Sequence, residues 1–199
     1  MVLFFDEIFN EFCSIQLSDP TQSPSCVSHG LSSLGMLATS GSEYYQSEES
    51  AGISAYAPPG TLQLSLLGAS SDNQGFQPGK IVYVDGWLYV NLCDMFDVTN
   101  LSSRLARVPT TVVRAPQDIL PESIVTRHTV YASGSGGYFT TNMVFAISAS
   151  NVYWVQLLPL AYPNGPQYIF SAPLPPKPCN ADLPCATPLV CTAGYCSAP

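Results

Sequence analysis

Charge is what this sequence has least of. Asp, Glu, Lys and Arg together supply 10% of the 199 residues, against about 25% in an ordinary soluble protein. Basic residues are scarcer still, because Lys and Arg number six and none precedes Lys80. A nucleic-acid partner requires a basic face that exchanges for counterions. Neither half of the chain offers one: residues 1–79 carry eight acidic side chains and no basic one, and residues 80–199 carry six of each sign. Nucleic-acid binding is therefore not expected. No apolar run approaches the ~18 residues of a membrane-spanning helix, so no integral membrane segment is expected either. A basic n-region is also missing from the start, where Met-Val-Leu-Phe-Phe is followed by Asp6, Glu7 and Glu11. That pattern does not read as an export signal.

Catalytic signatures are thin as well. The glycine-rich run Gly134-Ser-Gly-Gly lacks the Gly-x-Ser-x-Gly register of a nucleophile elbow. Cys26 and His29 stand close together, but in a Ser-rich irregular stretch without a rigid frame to position them. Asp85, Asp94, Asp97 and Asp118 read as turn formers before they read as paired acid and base. The chain is read as a non-enzyme, with no catalytic residue and no cofactor.

What remains to keep such a chain in water is Ser, Thr, Asn, Gln and Tyr. Surfaces destined for permanent burial against neighbours avoid Lys and Glu because stripping water from them is costly. The composition thus fits a subunit of an assembly.

Five segments follow from the patterning. In residues 1–16, Phe5, Ile8, Phe9 and Phe12 recur at helical spacing opposite Asp6, Glu7, Asn10 and Glu11, so an amphipathic helix is expected, with those four side chains as a docking face for a neighbouring subunit. Residues 17–57 lose periodicity and fill with Ser, Gly, Pro and Thr, which reads as an extended arm. Residues 58–172 turn to period two. Thr61-Leu-Gln-Leu-Ser-Leu alternates, and two β-rich runs flank Asp85-Gly86, a strong hairpin signal. Further strands are expected at 110–114, 124–132, 138–148, 152–158 and 167–171. About eight short strands imply an all-β fold, a single antiparallel β-sandwich with jelly-roll connectivity. Residues 173–178, rich in proline, should form a stiff spacer holding the last segment off the sandwich.

That last segment, residues 179–199, holds Cys179, Cys185, Cys191 and Cys196 as C-x5-C-x5-C-x4-C. Zinc sites usually show tighter C-x2-4-C pairs, and His29 and His128 lie far off, so two disulfides are expected and no metal. Three pairings remain open. Cys13 and Cys26 are a candidate third bridge, and Cys93 reads as a small buried hydrophobe. Asn100-Leu-Ser102 is a glycosylation sequon of low specificity. Trp87 and Trp154 are candidate sugar-stacking residues.

Two stretches carry a resemblance. The tail, with its Val-Cys-Thr-Ala-Gly-Tyr-Cys ending, resembles short cysteine-rich modules of secreted proteins and of structural proteins of large DNA viruses. The region 109–162, with Val-Tyr-Ala-Ser-Gly-Ser-Gly-Gly-Tyr-Phe and Ile-Ser-Ala-Ser-Asn-Val-Tyr-Trp, is similar to jelly-roll heads of viral capsid, penton and fibre proteins. The resemblance implies a minor capsid or penton-type component of a large icosahedral double-stranded DNA virus. Such a protein would be located in the virion, with other capsid subunits as partners in a homo-oligomer or hetero-assembly. It also implies that viral thiol oxidases could form the bridges without secretion. The rival expectations are a carbohydrate-binding or host-attachment module that contacts surface glycans, and a secreted β-sandwich hydrolase.

Overall fold

The computed structural model describes residues 2–6, 11–15, 18–19, 21–28, 36–48, 52–57, 61–67, 76–94, 102–111, 118–120, 126–127, 145–157 and 167–199. Among the described residues the fold is all-β, with no helix. The sequon at Asn100, both histidines and the Gly-rich turn at 133–137 lie outside them.

The first sheet corrects the expectation of an N-terminal helix. Val2–Asp6 (β1) and Glu11–Ile15 (β2) are antiparallel strands, and Ser25–Ser28 (β3) adds to β2. Phe5 stands opposite Phe12 in the register, whereas Ile8 and Phe9 fall outside the described residues. A helix of about a dozen residues is marginal on its own, while strand pairing is secured here by a covalent tie. Cys13 pairs in register with Cys26 and is bridged to it, at a Cα–Cα distance of 4.1 Å. The docking-helix role of Phe5 and Phe12 falls with the helix.

The segment expected to be an extended arm also contains strands among its described residues. Met36–Thr39 (β4), Tyr44–Glu48 (β5), Gly52–Ala57 (β6) and Thr61–Leu67 (β7) form a four-stranded antiparallel sheet in that order. Its tyrosines stack. Tyr44 lies on Tyr56 with ring centroids 5.3 Å apart, and Tyr45 lies on Tyr83 at 5.7 Å.

Phe76–Val84 (β8), Trp87–Asp94 (β9) and Ser102–Pro109 (β10) make the central sheet, with Asp118–Ile119 (β11) and Thr126–Arg127 (β12) both pairing with β10. The hairpin expected at Asp85-Gly86 is there, with both residues at positive φ (48° and 77°), as a type I′ turn requires. Of the strand expected at 110–114, residues 112–114 lie outside the described residues, and Thr110 and Thr111 are not in a strand. β10 ends at Pro109, and Thr110 donates to the Gly86 carbonyl at 3.0 Å. A register shift between Pro78 and Ile81 bends β8, and Ser47 Oγ donates to the Gly79 carbonyl at 2.6 Å.

Phe145–Ile147 (β13), Asn151–Leu157 (β14) and Gln167–Pro173 (β15) form a third layer. Val190–Thr192 (β16) and Tyr195–Ser197 (β17) form a small terminal hairpin turned by Ala193 and Gly194, at φ 52° and 82°.

Side-chain alternation in the central sheet shows why the fold has three layers where two were expected. In β9, Leu88, Val90 and Leu92 enter one core with Ile53, Leu66 and Tyr45 of the second sheet. Trp87 and Tyr89 enter another core with Phe145, Val152 and Trp154 of β13 and β14. The same parity holds in β10, where Ala106 and Val108 face the first core and Leu105 the second. A strand buried on both faces reads as a nearly continuous apolar run, as residues 87–92 do with the buried Asn91 as their one polar amide. The sheets also run mostly in chain order, β4-β5-β6-β7 and β8-β9-β10. A jelly roll would interleave strands from distant parts of the chain, and the described sheets do not.

Burial pushes the Tyr44 phenol from its ordinary 10.0 up to about 12, with Tyr56 acting in the same direction. A folded pKa above the unfolded one gives a contribution that is complete below pH 10 and is lost as pH rises through about 12. The denaturant midpoint is therefore expected to fall across that alkaline window. Tyr44→Phe should flatten the fall, and an equal fall in both proteins would count against this origin.

Candidate functional site

The distinctive construction of this chain lies where the proline-rich segment meets the central sheet. Arg107 of β10 has the parity of the second core and is only 1% exposed. Its guanidinium donates to the carbonyls of Pro175 at 2.9 Å and Pro176 at 3.2 Å, and sits over the Trp87 ring at 5.7 Å. Proline carbonyls suit this role, because a segment without N–H donors leaves its acceptors open. One residue on, Lys177 Nζ donates to the Asp85 carbonyl at 3.4 Å and lies 3.9 Å from the Asp85 carboxylate. Burial lowers the Lys177 pKa, Asp85 opposes that, and Arg107 adds to the lowering.

The expected spacer is thus a strap. Leu174 N–H donates to the Ser150 carbonyl at 2.8 Å, and the Leu174 and Leu183 side chains pack on the second core. The terminal module is held against the sheet. Cys196 N–H donates to the Lys177 carbonyl and Cys179 N–H to the Gly194 carbonyl, each at 2.8 Å. Cys179 is bridged to Cys191 and Cys185 to Cys196, which settles the pairing left open by the spacing. Between strap, module and sheet lies a cleft of about 780 Å³ lined by Asp85, Trp87, Arg107, Lys177, Cys185 and Cys196, among others.

The two candidate sugar-stacking residues are in the interior. Trp87 is 8% exposed and carries Arg107 on its face. Trp154 is 5% exposed, stacked on Phe170 at 5.7 Å, with its Nε1 buried and without a hydrogen-bond partner among the described residues. A sugar ring needs an open aromatic face, and neither tryptophan presents one. Cys26 is bridged to Cys13, so the Cys26–His29 pairing has no thiol in this form.

An exposed apolar surface lies on the opposite side of the third layer. In the β14–β15 register Tyr153 stands opposite Ser171, and both are exposed on the face turned away from the core, as is Ile169 two residues before Ser171. Ile169 is 78% exposed and Tyr153 41%. No charged residue stands on that face in β14 or β15, and β15 ends its sheet among the described residues. Met36 and Leu37 of β4 are likewise exposed, at the edge of the second sheet.

Sequence reasoning missed Arg107. The signal was available: a lone Arg inside Leu105-Ala-Arg-Val108, a run of β-compatible residues closed by Pro109, has to find carbonyl or carboxylate partners once both sheet faces are covered. Comparison of the chain with protein-family models, with curated proteins and with solved structures finds no match.

Proposed function

We propose that this chain is a structural component of a virus particle, a minor-capsid or penton-type subunit that contacts neighbouring capsid subunits. The observation that carries the reading is the uncharged outer face of β14 and β15, where Tyr153 and Ile169 stand in solvent. Lone surface hydrophobes need no explanation. An apolar sheet face at an unprotected edge is an aggregation hazard unless something covers it. Three disulfides support a protein whose working environment is oxidising. The scarcity of charge supports a surface that ends up between subunits. Leu183 of the cysteine-rich knob packs on the inner core of the third layer, and in this reading the Tyr153 face meets the neighbour while the knob faces outward.

The test is a double substitution, Tyr153→Ser with Ile169→Ser. Both side chains are exposed, so monomer stability should shift by no more than about 0.5 kcal/mol. Incorporation into particles should fall by about tenfold or more, the effect of removing contacts worth about 1.4 kcal/mol or more. Undiminished incorporation by a normally folded variant would overturn the reading.

A further inference from the structure

We propose that the C-terminal module, in its reduced state, is a binding site for one Zn²⁺ held by the thiolates of Cys179, Cys185, Cys191 and Cys196. This inference does not depend on the particle reading.

The spacing in sequence offers no tight pair of ligands, but the hairpin register supplies one. Cys191 and Cys196 stand directly opposite each other in β16 and β17, and cross-strand partners bring their Cβ atoms to about 5 Å. Each of them is bridged to one of the other two cysteines. The two bridges therefore lie side by side. The Sγ atoms of Cys179, Cys185 and Cys196 all fall within 4.8 Å of one another, and Cys191 is bonded to the first of them. In a tetrahedral site with Zn–S near 2.3 Å the sulfurs are about 3.8 Å apart. From the bridged positions Cys179 would close on Cys185 and Cys196 by up to about an ångström, and Cys191, bonded to Cys179, would turn in as the fourth ligand.

Two further features favour thiolates here. Lys177 and Arg107 line the same cleft as Cys185 and Cys196, and neighbouring cations stabilise the thiolate over the thiol. They also offset the net negative charge that four thiolates leave on a divalent ion. The backbone around the ligands is also held by two hydrogen bonds, from Cys179 N–H to the Gly194 carbonyl and from Cys196 N–H to the Lys177 carbonyl, each at 2.8 Å. The other sulfur cluster, Glu11 with Cys13 and Cys26, has two sulfurs and a carboxylate with no further cysteine bonded to it, and serves as the control.

The chemistry balances without further reagents than a thiol oxidant. Four thiols give up four protons on binding one Zn²⁺. Two equivalents of a disulfide oxidant then accept four electrons and four protons as four new thiols, while the protein forms its two bridges and releases the ion. The module would thus be shaped by metal while reduced and by sulfur–sulfur bonds once oxidised.

The experiment uses the full chain, reduced with a phosphine under anaerobic conditions and titrated with Co²⁺ as a spectroscopic stand-in for Zn²⁺. The expected result is a tetrahedral d–d band with thiolate-to-metal charge transfer, saturating at one ion per chain and displaced by Zn²⁺. Cys185→Ser with Cys196→Ser should abolish both bands, and Cys13→Ser with Cys26→Ser should leave them. Glutathione disulfide should release the ion in step with bridge formation. Absence of the tetrahedral bands, or bands that survive in the Cys185/Cys196 variant, would overturn the proposal.

Discussion

Arg107→Met is expected to lower the free energy of unfolding by about 3 kcal/mol, since hydrogen bonds from a charged donor contribute about 1.5–3 kcal/mol each and two go to the strap. The loss has two parts. The carbonyls of Pro175 and Pro176 lose their guanidinium donor, and the Trp87 ring loses the cation above it. Met fills similar volume and removes the cost of burying a charge, which offsets part of the effect. Local consequences should exceed the global one. The Leu174 amide, bonded to the Ser150 carbonyl, should exchange with solvent far faster once the strap loosens, while core amides such as that of Leu88 change only with overall stability. Arg107→Lys should fall between, because an ammonium keeps the charge but cannot span two carbonyls as a planar fork does. Urea unfolding followed by tryptophan fluorescence gives the global term and amide exchange the local one. An unchanged midpoint with an unchanged Leu174 amide would remove Arg107 from its role as the anchor of the strap.

The second large effect is expected from the cysteines of the module. The bridges span separations of 12 and 11 residues, and closing loops of that size stabilises by about 3 kcal/mol each. The module has few apolar anchors of its own, chiefly Leu183, and its Leu189, Val190 and Tyr195 are exposed. Replacing all four cysteines by Ser, or reducing them with a chelator present, should therefore unfold residues 179–199. The three-layer body should remain. The Cys196 amide of the reduced protein should lose its protection, and those of Leu88 and Val90 should keep theirs. Simultaneous loss at all these positions would mean that module and body fold as one unit.

The all-β class, the Asp85-Gly86 hairpin and the disulfide state of the tail were legible in the residues. Each rests on local chemistry: period two, a turn that needs positive φ, and cysteine density in a segment too small for a core. The N-terminal strands were not. Phe5, Ile8, Phe9 and Phe12 fit a helical stripe, yet Val-Leu-Phe-Phe is also a continuous apolar run, and a short run of that kind does not separate helix from strand. The choice is made by partners distant in sequence, with β3 and the Cys13–Cys26 bridge completing the sheet. The third layer escaped for a related reason. The nearly unbroken apolar run at 87–92, with Asn91 its one polar amide, says that both faces are covered, but not by what. Arg107 went unread because a buried arginine has meaning only once its acceptors are in place, and these are proline carbonyls 68 and 69 residues away.

The proposed role of this chain as a subunit of a virus shell is tested most directly by a photo-reactive phenylalanine analogue at position 169, irradiated in purified particles and read by mass spectrometry. The account predicts that the chain is recovered from the particles at fixed stoichiometry, with the probe joined to one defined surface of a neighbouring capsid subunit. Particles that lack the chain, or a probe that reacts only with solvent, would contradict it.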